Sequence, residues 1–212
     1  MSPAATYIVV AIAAYLFGSI PFGYLLVRAF KGSDIRQSGS GNIGATNVAR
    51  SGARGLALFT LLFDVLKGFA AVLVAEMIIS GPNPAAYTGR TYAVAAFAAL
   101  FAIIGHMFPL WLRFHGGKGV ATAVGAFFAI APIPVASALG IFLLVVALTR
   151  YVSLGSILAT AAFPILLWFW RFQHPFVFLP LLIAAALIIA RHRGNIRRLL
   201  AGTEHRFGAK AQ

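Results

Sequence analysis

Residues 119–149 read GVATAVGAFFAIAPIPVASALGIFLLVVALT, an uncharged run of 31 residues. A helix that crosses a bilayer needs ~20 apolar residues, so the run is too long for one ordinary span and short for two complete ones. Pro132 and Pro134 stand near its middle, where each removes a backbone donor and breaks a continuous helix. The charges on either side decide how the run is used. A single crossing would put the basic segment after Ala190 opposite the first basic loop. A return, as a hairpin of two short helices, gathers Arg28, Lys31, Arg36, Arg50, Arg54, Arg113, Lys118, Arg150 and the C-terminal tail on one side. Only Arg90 and Arg171 then remain on the other, with Lys67 inside a span. The positive-inside bias favours the return.

The rest of the chain fits this frame. Of the 212 residues, 61% are hydrophobic and 10% charged, against about 25% charged in a soluble domain. Uncharged or nearly uncharged stretches run from Ala4 to Val27, Gly55 to Ile79, Thr91 to Leu112, Val152 to Trp170 and Phe176 to Ala190. The first contains the helix-breaking Gly18-Ser-Ile-Pro21. It has no basic region before it, so it is expected to be a span and not a cleaved signal. Turns are expected at Gly81-Pro-Asn-Pro84 and from Arg171 to Pro175. The tail from Arg191 to Glu204 reads as one short interfacial helix with Ile196, Leu199 and Leu200 as its apolar stripe. The expected fold class is therefore an all-α polytopic membrane protein with seven transmembrane segments, two of them short and forming a hairpin. Its N-terminus lies outside, its C-terminus is cytoplasmic, and residues 1–212 form a single domain.

The chain carries 17 Lys and Arg against 4 Asp and Glu, a net charge of +13. No basic helix lies over a soluble fold, so anionic lipid and phosphorylated metabolites are the expected partners and nucleic acid is not. There is no cysteine, which excludes disulfides and thiolate chemistry. Asp34, Asp64, Glu76 and Glu204 are scattered, so neither a metal site nor a cofactor is expected. No Gly-x-Ser-x-Gly elbow is present, and no His is followed five positions later by Asp, the pattern of the coenzyme-A-dependent glycerolipid acyltransferases. A site so poor in bases suits a substrate that arrives already activated.

Polar chemistry gathers in four places on the basic side. The loop Arg36-Gln-Ser-Gly-Ser-Gly-Asn-Ile-Gly-Ala-Thr-Asn-Val-Ala-Arg50 offers Gly39, Gly41 and Gly44 for tight turns and a nest of backbone N–H groups. Ser38, Ser40, Asn42, Thr46 and Asn47 add donors, and Arg50 adds a planar fork suited to phosphate. A flexible Ser/Gly connector is the competing reading. Gly116-Gly-Lys-Gly-Val-Ala-Thr122 is a shortened relative of a phosphate loop, with Lys118 at a helix start. The turn from Arg150 to Ser156 supplies Ser153 and Ser156. In the tail, Arg191, His192 and Asn195 are spaced to share one helix surface, whereas Arg197, Arg198 and Arg206 are expected only to hold anionic lipid. Asp64 and Lys67, three apart inside a span, suit a helix-locking ion pair or a catalytic role; His106 suits a structural histidine before a ligand or base, and His115 stands in an open loop.

Taken together, Ser40-Gly-Asn-Ile-Gly-Ala-Thr-Asn47 with Arg50, Asp64-Val-Leu-Lys-Gly68, Gly105-His-Met-Phe-Pro109, Gly116 to Thr122, Tyr151-Val-Ser-Leu-Gly-Ser156, His192 to Leu199 and Gly202-Thr-Glu204 resemble the bacterial integral-membrane glycerol-3-phosphate acyltransferases that use acyl phosphate. The resemblance implies transfer of a fatty acyl group from acyl phosphate to the 1-hydroxyl of sn-glycerol 3-phosphate. It yields 1-acyl-sn-glycerol 3-phosphate and inorganic phosphate at the cytoplasmic side of the inner membrane, the first step of phospholipid synthesis. It assigns Ser40, Arg50, Lys118, Ser156, His192 and Asn195 to the phosphates or reacting groups. Around them, Gly41, Asn42, Gly44, Thr46, Asn47, Gly116, Gly117, Ser153 and Glu204 complete the expected site. On the physical reading, Arg50 and the Gly41–Gly44 backbone grip one phosphate, and Lys118 with the Gly116 and Gly117 amides grips the other. Membrane lipid is a further partner, and association with the cytosolic enzyme that makes acyl phosphate is compatible with the scheme. The alternative is an organophosphate anion transporter, which would need a polar path through the whole bilayer.

Overall fold

The structure is a computed structural model that describes residues 2–80, 89–170, 172 and 174–208. The turn expected at Gly81–Pro84 and the residue Arg171 lie outside the described residues. Ten α-helices are described: α1 (Pro3–Ser19), α2 (Phe22–Lys31), α3 (Ala45–Arg50), α4 (Arg54–Ser80), α5 (Gly89–Met107), α6 (Val120–Ile130), α7 (Pro132–Thr149), α8 (Val152–Phe169), α9 (Pro175–Arg191) and α10 (Arg193–Leu200). Among the described residues, five helical segments are long and apolar enough to cross a membrane, with α1 and α2 counted as one; α9 joined to α10 makes a sixth.

The break between α1 and α2 falls at Ile20–Pro21. Proline cannot donate to the preceding turn, and at the break the Ile20 carbonyl accepts from Phe22 N at 3.1 Å and from Lys67 Nζ at 2.7 Å. α5 is the central post, with 72% of its apolar window buried, whereas α7 buries 17% and presents most of its surface outward. α5 packs against α1, α4, α6 and α9, α4 packs on α6, and α7 on α8. The α4–α6 approach depends on missing side chains: a Cβ at Gly68 would strike the Thr122 carbonyl, and one at Gly125 the Val65 carbonyl. Small residues allow such close contact between membrane helices, where hydrophobic burial supplies no driving force.

The run 119–149 does return. Lys118, before it, hydrogen-bonds Asn195 at 2.6 Å. Ser153, after it, donates at 3.0 Å to Glu204, which also accepts from Asn195 at 2.8 Å. Both ends of the run therefore meet in one network. The expectation of two short helices needs correction, however. α6 has 11 residues and α7 has 18, so at 1.5 Å per residue they measure about 16 and 27 Å. Pro132 opens α7, and Pro134 lies in its first turn, where a missing N–H has no intrahelical partner to lose. The break thus falls at Ala131, and only α6 is short. α7 ends on Arg150 at φ +62°, whose carbonyl accepts from Phe207 N at 2.7 Å and so ties the tail to this corner.

The short helix expected for the tail is α10, although it begins only at Arg193 and Arg191 still belongs to α9. The chain bends by 51° between α9 and α10, with His192 at the corner. Arg191 and Asn195 thus lie on different helices and do not share the surface that their spacing suggested. Leu200 is 85% exposed while Asn195 is buried, so α10 keeps an apolar edge outward and its amide inward.

Candidate active site

Glu204 is the hub of the site. Its side chain is almost wholly buried, and its Oε1 accepts from Ser153 Oγ at 3.0 Å and Asn195 Nδ2 at 2.8 Å. Arg198 Nε donates to Oε2 at 2.7 Å, and Arg50 Nη2 stands 3.7 Å from Oε1. Burial alone would raise the carboxyl's pKa, but the bonds from Asn195, Arg198 and Ser153 outweigh it and hold it below the usual value. One carboxylate thus collects two arginines. The Asn195 amide it fixes turns its oxygen to Lys118 Nζ. Burial pulls the Lys118 ammonium from 10.5 to about 8; Glu204 opposes this, and Arg50, Arg198 and Arg191 reinforce it. Among the described residues Arg50 Nε is buried without a hydrogen-bond partner, a guanidinium donor facing no acceptor.

His192 is buried beside this cluster, with Nδ1 at 2.8 Å from the Ile188 carbonyl. A carbonyl only accepts, so Nδ1 carries the proton and Nε2 keeps its lone pair. Burial and the Lys118 charge lower this histidine from 6.5 to about 4, leaving it neutral at physiological pH.

The glycine-rich loop is an organised structure and not a loose connector. Asn47, 2% exposed, donates to the carbonyls of Ile35, Ser38 and Asn42 at 3.2, 3.0 and 2.8 Å. Its Oδ1 accepts from Ser40 N and Oγ. Gly39 and Gly41 take φ of +57° and +68°, as expected of glycine in such turns. Gly44 does not; it caps α3 at φ −78°, with its N–H on Asn42 Oδ1. Thr46 is exposed. Arg36 clasps Asp34 with two bonds, Nε to Oδ1 at 3.0 Å and Nη2 to Oδ2 at 2.6 Å. Its guanidinium lies 5.1 Å over the Tyr24 ring.

The second loop works differently from expectation. The Gly116 and Gly117 amides donate to the carbonyls of Met107 and His106, so they are not free for a phosphate. Their own carbonyls accept from Arg191 at 3.2 Å each. The two glycines place Lys118 and Arg191 instead of gripping an anion themselves. Ser40, Gly41 and Asn42 face His115, Gly116, Arg36 and Arg191 across a cavity of about 550 Å³. A second cleft of about 730 Å³ adjoins at Arg36, walled by Ile20, Pro21, Tyr24, Leu25, Trp111 and Leu112, with Arg113 on its rim.

A family model described as glycerol-3-phosphate acyltransferase matches residues 8–202. The chain belongs to this family. The family's glycerol-3-phosphate acyltransferase from Nitrobacter winogradskyi is 49% identical over 93% of this chain and 94% of its own length. The one from Trichlorobacter lovleyi is 45% identical over 92% and 95%. Two crystal forms of PlsY (YgiH), an integral membrane glycerol 3-phosphate acyltransferase, superpose with TM-scores of 0.84 and 0.82 at 40% identity. These are its glycerol 3-phosphate and lysophosphatidic acid forms; each match covers 95% of this chain, and 96% and 95% of PlsY respectively. Membership makes this chain an integral-membrane acyltransferase and displaces the transporter reading.

Within this acyltransferase, Arg50, Lys118, Ser153, His192, Asn195 and Glu204 converge. Ser40, Gly41, Asn42 and Gly116 line the adjoining cavity, and Ser156 is buried with its hydroxyl on the Val152 carbonyl. Arg198 needs correction: it is bonded to Glu204 and is not reserved for lipid. Arg206 stays exposed, and its Nε donates to Tyr151 Oη at 3.1 Å. Arg36 and Arg191 were missing from the site expected from sequence. The pairing Asp34-Ile-Arg36 was a usable signal for the first; for Arg191 the neighbouring helix break concealed the direction of the side chain.

Proposed function

We propose that this protein transfers a fatty acyl group from acyl phosphate to the 1-hydroxyl of sn-glycerol 3-phosphate, without coenzyme A. The observation that carries the reading is the gathering of Arg50, Lys118 and Arg198 around one buried carboxylate, which leaves a surplus of fixed positive charge. Two phosphate-bearing substrates need that surplus, and in acyl phosphate the leaving group beside the reacting carbon is itself the anion the cations meet, whereas a thioester develops its charge on sulfur. The apolar cleft meeting the polar cavity at Arg36 suits a molecule with an anionic head and a long acyl chain.

In the reaction the glycerol hydroxyl oxygen attacks the acyl carbonyl carbon, a carbon–oxygen ester bond forms, and the carbon–oxygen bond to phosphate breaks. The phosphate leaves with the electron pair, and negative charge grows on it. Preorganised donors at such a position are commonly the largest catalytic term, about 2.7–4 kcal/mol for a single lost donor. Arg50 fills that role, and Lys118 holds the phosphate of glycerol 3-phosphate. With its pKa near 4, His192 is a weak base at neutral pH; its Nε2 accepts the hydroxyl hydrogen bond and orients the nucleophile. The proton finishes on the departing phosphate. No protein base is then indispensable, a reading that fails if His192→Ala abolishes turnover at neutral pH but regains it at high pH or with imidazole.

The positive side of the chain is the cytoplasmic side, which sets the site at the inner leaflet of a bacterial inner membrane, the N-terminus outside and seven segments in between. Purified protein in detergent, given palmitoyl phosphate and glycerol 3-phosphate, is expected to release phosphate and form the 1-acyl product, and to do so in EDTA. Faster turnover with palmitoyl-coenzyme A would refute the donor assignment.

A further inference from the structure

We propose that His106 is a positioning residue for Lys118, braced from behind by the buried Asp64–Lys67 pair. The proposal rests on Lys118 serving the anion site described above. Asp64, Lys67 and His106 are 2%, 4% and 3% exposed, and none of them reaches the cavity lining. Buried ion pairs are weak devices for stability, because desolvation offsets their attraction; their placement therefore calls for another account.

That placement forms a mechanical line. Lys67 Nζ stands 2.8 Å from Asp64 Oδ1 and donates to the Ile20 carbonyl at 2.7 Å, fixing the pair to the α1–α2 break. His106 Nδ1 lies 3.5 Å from the same Asp64 oxygen. Among the described residues neither atom has a hydrogen-bond partner, so the two are held together by packing and charge, with the ring's opposite edge against the second loop. A Cβ built on Gly117 would land on His106 Nε2 and lie 2.8 Å from both Cδ2 and Cε1. The Gly117 amide also donates to the His106 carbonyl at 3.0 Å. Residue 117 is thus pressed on the imidazole edge from one side and held by Arg191 through its carbonyl from the other. Lys118 is the next residue. Its ammonium meets Asn195 at 2.6 Å, a distance that tolerates little displacement of the backbone behind it.

The geometry gives a complementary pair of substitutions. His106→Asn keeps a nitrogen on the Asp64 side and vacates the ring edge at Gly117; Gly117→Ala adds a methyl at that place. Each alone is expected to raise KM for glycerol 3-phosphate by about 10-fold or more, with kcat changed much less, as misplacement by under 1 Å can do. Combined, they are expected to return KM to within about 3-fold of wild type, because the methyl occupies the vacated space. The assay is phosphate release by purified protein with palmitoyl phosphate. A merely structural histidine would lower the amount of active protein, and so kcat, with KM unmoved. An unchanged KM in His106→Asn, or losses that multiply in the double variant, would overturn the proposal. Should His106→Asn fail to assemble, His106→Gln, which keeps a polar end against Gly117, must retain KM within about 3-fold; a larger rise overturns it equally. Lys118→Ala separates the two layers: retained activity there refutes the site reading and this inference together, whereas its loss beside multiplicative double-variant losses refutes the inference alone.

Discussion

Lys118, if it serves the anion site as proposed, is expected to set a pH limit on this enzyme that ordinary lysines do not. Its pKa falls from 10.5 to about 8, first because it is buried and then because Arg50, Arg198 and Arg191 crowd it, with Glu204 alone opposing. The pH dependence of kcat/KM reports the free enzyme. A catalytic ammonium with a pKa near 8 is about nine-tenths discharged at pH 9, so kcat/KM should drop about 10-fold there and about 100-fold at pH 10. Phosphate monoesters have their second pKa near ~6 and stay dianionic through this window, so the substrate contributes no alkaline limb. Glu204→Gln removes the charge that supports the ammonium and is expected to move the limb to lower pH. Lys118→Arg, whose guanidinium stays charged above pH 12, is expected to abolish the limb, although its fork fits Asn195 poorly and the absolute rate falls. Initial rates of phosphate release at subsaturating glycerol 3-phosphate, from pH 6.5 to 10, measure this. A flat kcat/KM through pH 9.5, or a limb that survives in Lys118→Arg, would refute the reasoning.

Three further outcomes are expected. Asn47→Ala removes five hydrogen bonds that shape the first loop; at about 1 kcal/mol each, partly regained from water, it should make residues 34–50 sensitive to protease and abolish turnover. Asp64→Ala strands the buried Lys67 charge and should destabilise the fold by about 3–5 kcal/mol. Asp64→Leu with Lys67→Met should recover the melting temperature but not the glycerol 3-phosphate KM. Acid should destabilise the protein from about pH 6.5 downward. His192 binds its proton at 6.5 when unfolded and at about 4 when folded. Stability is therefore full above 6.5 and lost progressively toward 4, by about 3 kcal/mol in all. Glu204, whose folded pKa is lowered, adds to this as the pH falls below the ordinary glutamate range. A thermal melt unchanged between pH 7 and 5 would contradict the His192 assignment.

The sequence by itself determined the apolar stretches, the returning run and the gathering of basic residues about its ends. Each follows from one-dimensional quantities: apolar length against bilayer thickness, proline positions, and the asymmetry of Lys and Arg. The ordered motifs also carried the family, and most of the residues that meet at Glu204 were legible in them. Tertiary structure decided how those residues act. Gly116 and Gly117 looked like phosphate ligands, yet their amides face Met107 and His106 carbonyls, a pairing between segments that no local pattern encodes. Arg198 looked like a lipid contact until the turn after α10 brought Glu204 back to it. The division of residues 119–149 into one short and one full helix depended on a proline that can open a helix as readily as break one. Apolar length and charge decide which stretches of backbone can enter a membrane. Which donor meets which acceptor is set by distances of a few tenths of an ångström between segments remote in sequence, and only the packed helices specify those.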